Sequence, residues 1–195
     1  MEKTQIAEKL QSYFRKIILL LFSLPVVSFG SNYKEAFEAL SVFDYFKAKK
    51  LFYQDLKKKQ NAKSCFGLSV IYFRNDNPFS NCDSALKYIS ISYALQKISP
   101  ENIELSGFKI NSQTISDFKD SISLRLFAIA RKLSRLDSYN NFLLENYLAA
   151  EQLKIKAVYL RDELEYELVQ KANRSDSTKQ FLICYPQSKF YLNAM

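Results

Sequence analysis

Apolar residues recur every three or four positions over most of the chain beyond residue 31, and the breaks between these runs divide it into helices. Ala36, Phe37, Leu40 and Phe43 share one side of a first helix that Ser31 or Asn32 can cap. Asp44 interrupts the run and caps a second helix. There Ala48, Leu51, Phe52 and Leu56 lie together, while Lys47, Lys50, Lys57 and Lys58 fall mainly on other faces. Lys57-Lys58-Lys59 puts cations at the negative end of that helix, so the run reads as a helix terminus before it reads as a polyanion site. A third helix is expected over about 62–73. Gly67 inside it costs about 1 kcal/mol relative to Ala, which close approach of a neighbouring helix can offset. Asn75-Asp76-Asn77-Pro78 stops it. A fourth helix starts at Asp83 or Ser84 and runs to about Ile98, with Ala85, Tyr88, Ile89 and Leu95 as its buried stripe.

Residues 99–112 read as a linker loop between two helical regions, because Pro100, Gly107 and several polar residues gather there. Phe108 and Ile110 are expected to tuck that loop against the preceding helices. Thr114 and Asp117 have the spacing of a capping box, with Asp in place of Glu. The helix that follows is expected to reach about Leu136, with Ile122, Leu126, Ile129, Ala130 and Leu133 inward. Asp137-Ser138 breaks it, and a long tract continues over 139–172 with a bend near Asn146. After a loop at 173–177, a short helix ends at Tyr185-Pro186 and Ser188 starts another that stops at Met195, the pattern of a piece of a longer repeat protein.

Small residues stand where two of these helices would cross, with a large apolar residue one turn on. Ala36, Ala48 with Phe52, Gly67, and Ala85 with Ile89 are the residues expected to pack the crossings. Ala48 to Ala85 and Phe52 to Ile89 are both steps of 37 residues. The stretch from Asp44 to Phe52 resembles the second helix of a tetratricopeptide repeat, and Asp83 to Ile89 resembles the same helix one repeat later. Residues 67–72 resemble the first helix, with Gly67 at the close-packed position. The departures are specific. Phe43 stands where the family usually has Gly, Asp55 replaces a usual Ala, and about six extra residues fall within 74–83. The tail from Phe181 to Phe190 is similar to a linker in helical repeats of exported outer-membrane assembly proteins. The resemblance implies an all-α fold of antiparallel hairpins stacked as a short α-solenoid. The resemblance covers roughly residues 33–98 and, more loosely, 140–195, and the expected organisation is two hairpins over 31–98 and further repeats over 113–195.

Composition agrees with helices, since 3 Gly and 4 Pro in 195 residues are too few for the turns of a β-sandwich or barrel. The first 30 residues look like an export signal, with an N-terminal anchor as the alternative. Lys3, Lys9, Arg15 and Lys16 precede the apolar run 17–27, and Ser28 and Gly30 suit cleavage after Gly30. The run is short for a membrane span, which takes about 20 residues. The expected location is therefore the periplasm or envelope, with membrane contact only through an uncleaved N-terminus. The net charge is +8, and removing 1–30 takes away four basic and two acidic residues, leaving +6. That excess suits an acidic partner, an anionic surface or plain solvation. No nucleic-acid motif accompanies it.

Candidate chemistry is sparse. The chain has no His, which removes the commonest general base and metal ligand. Cys65, Cys82 and Cys184 are an odd set and read as small apolar residues, with a Cys65–Cys82 bridge as the alternative. Glu163 and Glu167 lie one turn apart but among other charges, as a solvated face does. There is no phosphate loop and no Cys-x-x-Cys. Catalytic, cofactor and metal residues are accordingly expected to be none. The expected role is a non-catalytic scaffold of the cell envelope for a protein or peptide partner. The alternative is a partner-sensing repeat domain of a signalling protein. The first helices of each hairpin would offer Lys34, Glu38, Ser41, Ser69 and Tyr72 to the partner.

Overall fold

The computed structural model describes residues 32–195; the expected export segment lies outside the described residues. The first four helices are α1 (Tyr33–Ser41), α2 (Tyr45–Lys58), α3 (Ala62–Phe73) and α4 (Cys82–Ile98). A hairpin of β1 (Ile103–Leu105) and β2 (Phe108–Ile110) follows. Then come α5 (Ser112–Leu133), α6 (Leu136–Glu145), α7 (Glu151–Ala172), α8 (Ser175–Cys184) and α9 (Tyr191–Ala194). Helix takes 73% of the described residues, so the architecture is all-α with one small hairpin.

Side-chain caps set several helix starts. The Asp44 carboxylate accepts from the Lys47 amide at 3.0 Å, Asn61 from Ser64 at 2.8 Å and Asn81 from Ser84 at 2.7 Å. Each satisfies an amide that the helix itself cannot. Helix α5 begins a turn earlier than the Thr114–Asp117 spacing predicts. Asn111 is its cap and accepts from the Thr114 amide at 2.8 Å, while the Thr114 hydroxyl accepts from the Asn111 amide at 3.0 Å. Thr114 is thus the third helical residue of the box rather than its cap.

Each helix packs on its neighbour in sequence, and α1 also touches α3. Ala36, Ala48, Gly67, Ala85, Phe52 and Ile89 are all buried in one core. The small residues let the helices close on one another. A Cβ placed on Gly67 would clash with the far edge of the Phe52 ring, so Gly admits that ring in its present position. Phe37 meets Phe52 edge-on with centroids 4.9 Å apart, and Phe108 meets Phe37 at 5.4 Å. Asp55, the departure from the repeat pattern, ties three segments together at the opposite end. It accepts from the Asn32 amide at 3.2 Å, the Asn61 carboxamide at 2.7 Å and the Ser64 hydroxyl at 2.6 Å.

Several expectations need correction. Residues 99–112 contain a β-hairpin: Leu105 pairs with Phe108 across Ser106-Gly107, both at positive φ, as a two-residue hairpin turn requires. Ile110 joins the first core, and so do Ile115 and Ile122 of α5. The cores therefore part within α5, near Leu126, which packs on both. Phe43 is 58% exposed at φ 63°, turning the chain from α1 to α2 instead of extending the α1 face. In α4 the buried stripe runs through Ala85, Leu86, Ile89, Ser92 and Gln96, leaving Tyr88 and Leu95 half-buried. The tract 139–172 is two helices, parted at 146–150.

The second core gathers Phe127, Ala130, Tyr139, Phe142, Ala149 and Ala157. The third gathers Val169, Phe181 and Ala194. Helices α5 and α7 each serve two cores, one with each half. Lys119 bridges further, donating to the Leu148 carbonyl at 2.7 Å and pairing with Asp120 at 2.9 Å.

Candidate functional site

The five residues expected to face a partner do not form one open surface. Lys34, Glu38 and Ser41 are exposed on α1. Ser69 is buried, and its hydroxyl donates to the Phe66 carbonyl at 2.7 Å. Tyr72 is half-buried, with its hydroxyl 2.8 Å from that of Tyr53. Tyr88 donates to the same Tyr53 oxygen at 2.9 Å and stacks flat on Tyr72. Burial first, then these two hydrogen bonds, push the Tyr53 phenol well above its ordinary value.

The extra residues at 74–83 build a tied loop beside this cluster. Asp76 accepts from Tyr45 at 2.8 Å and from Nε and Nη2 of Arg74. The Arg74 guanidinium, then the Tyr45 hydroxyl, hold its carboxyl below the usual range. Asn77 donates to the Ile71 and Arg74 carbonyls at 2.9 and 3.0 Å. From α5, Arg125 donates to the Phe73 carbonyl and lies over the Phe73 ring. Lys49 sits 3.8 Å above the ring of Phe79. The loop thus fastens α2, α3 and α5 to one another.

An open cleft of about 960 Å³ lies elsewhere, between α4 and α6 along α5. Leu86 and Ile91 form one wall, Phe142 and Tyr147 the other, and Leu126, Ile129 and Leu133 the floor. Ile129 is 43% exposed and Leu133 55%, although their spacing places them inward. Ile122 and Ile129 are seven residues apart and so lie on one side of α5. That side is covered at Ile122 and falls in the gap between α4 and α6 at Ile129. Asn146, where the sequence suggests only a bend, lines the cleft at 2% exposure, and its Oδ1 accepts no hydrogen bond among the described residues. Asp83 and Glu145 add carboxylates to the lining and Lys87 an ammonium.

Cys65, Cys82 and Cys184 are free thiols, and burial pushes Cys65 up to about 12, far from a nucleophile's range. Glu163 accepts from Tyr159 at 3.3 Å and Glu167 lies 3.8 Å from Lys171, as surface carboxylates do. No group of three metal-ligating side chains occurs among the described residues, and no helix there is long and apolar enough to cross a membrane. Comparison with protein-family models, curated proteins and solved structures finds no match for this chain.

Proposed function

We propose that the chain is a non-catalytic scaffold of tetratricopeptide type, exported to the cell envelope, that holds a protein or peptide partner. The observation that carries this reading is the open apolar cleft along α5, floored by Ile129 and Leu133 beside a close-packed helical core. Large apolar side chains left in a concave surface are the usual mark of a binding site. The solenoid reading draws support from the 37-residue step between Ala48 and Ala85 and from Gly67 meeting the ring of Phe52. Contact of α1 with both α2 and α3 also suits stacked hairpins. The absence of His and the buried Cys65 thiol favour binding over chemistry.

Affinity capture from an envelope extract tests the reading. The wild-type chain is expected to retain a discrete protein that an Ile129→Gln, Leu133→Gln variant releases. Mass spectrometry of the envelope-located chain is expected to give Ser31 as its first residue. Equal retention by both forms, or an intact Met1, would contradict the corresponding part.

A further inference from the structure

We infer that the α4–α5–α6 cleft takes a basic amphipathic segment of its partner, one that sets apolar side chains beside a Lys or Arg. The inference rests on the scaffold reading and gives the bound segment a chemistry. Two features of the cleft point the same way. Its floor and walls are apolar through Leu126, Ile129, Leu133, Leu86 and Phe142, so the segment must bring apolar side chains of its own.

Its charged lining is two carboxylates against one ammonium. Asp83 and Glu145 have no ion-pair partner among the described residues, although the whole chain carries a net charge of +8. Glu145 is the last residue of α6, where the helix's partial negative charge repels a carboxylate. A bound cation would relieve that repulsion. Lys87, the one cation in the lining, sits over the Tyr88 ring rather than on either carboxylate.

The apolar floor and the two unpaired carboxylates together fit an amphipathic segment with cationic side chains. An acidic segment would bring repulsion to Asp83 and Glu145.

Panning a random-peptide display library against the full chain tests this. The general positive charge of the protein favours acidic peptides, so the cleft and the bulk charge make opposite forecasts. Enriched peptides are expected to carry Lys or Arg among aliphatic or aromatic residues. Synthesised with a fluorescent label, they are expected to lose about tenfold or more in affinity with Ile129→Gln and several-fold with Glu145→Lys. Replacing their Lys by Glu is expected to abolish binding to the wild type. Lys at the C-terminal end of α6 suits the helix, so Glu145→Lys is expected to melt no lower than wild type; this separates lost binding from lost folding. Enrichment of acidic or uncharged peptides, or binding indifferent to both substitutions, would overturn the inference and leave the scaffold reading standing. A library that yields no binder at all would overturn both.

Discussion

The two halves of this molecule use similar residues to different ends. In residues 32–125 the small residues Ala36, Ala48, Gly67 and Ala85 are buried with Phe37, Phe52 and Ile89, and Gly67 lies against the Phe52 ring. In residues 126–195 no such glycine occurs, the cores are smaller, and Ile129, Leu133, Leu144, Tyr147, Ile155 and Leu168 remain exposed. Amphipathic helices alone do not make a close-packed array. The second half has its own buried small residues, Ala130, Ala149 and Ala157, so what separates the halves is how many large side chains each core encloses.

The largest expected effect follows from that difference. Phe52→Ala is expected to cost about 3–5 kcal/mol in urea unfolding, because its site is enclosed on all sides. Phe142→Ala, whose ring borders the cleft, is expected to cost less, since water can enter the space left behind. Equal losses would remove the distinction between the halves.

Gly67→Ala sharpens it next. The added Cβ is expected to destabilise by about 1–3 kcal/mol despite the better helix propensity of Ala. Phe52→Leu in the same chain is expected to restore most of the loss. A Gly67→Ala protein as stable as wild type would mean the Phe52 ring can yield. Asp55→Ala is expected to cost a similar or smaller amount, about 1–3 kcal/mol, by leaving Asn61 and Ser64 without their buried acceptor.

The smallest effect is one of pH. The Tyr53 phenol titrates above its unfolded value, so its contribution to stability is complete below about pH 10 and is lost as pH rises beyond that. Urea midpoints for the wild type are therefore expected to fall above that pH. The fall is expected to be shallower in Tyr53→Phe. An identical slope in both proteins would separate the tyrosine cluster from the alkaline response.

Much of the first half was legible in the sequence because its signals are local. Asp44 caps as its position implies, α3 spans the expected 62–73, and the small residues at the crossings are buried. The hairpin at 103–110 is harder to read: Ser106-Gly107 between alternating apolar residues is its signal, but the polar surroundings and Pro100 suit a loop equally well. The cleft could not be read in the same way. Periodicity tells which side of α5 carries Ile129 and Leu133, but not that α4 and α6 leave that side open there. Nor does sequence show that Ser69 lies under its neighbours, or that Tyr72 turns toward Tyr53 and Tyr88. Those outcomes depend on which helices meet, and that is settled between residues far apart in the chain.

The most direct test of a partner-binding cleft on α5 is an NMR titration of the isotopically labelled chain with a basic amphipathic peptide selected against it. Amide shifts are expected to move in residues 83–91, 126–133 and 141–147. Shifts confined to the α1 surface around Lys34, Glu38 and Ser41 would contradict the account and return the binding face to the first hairpin.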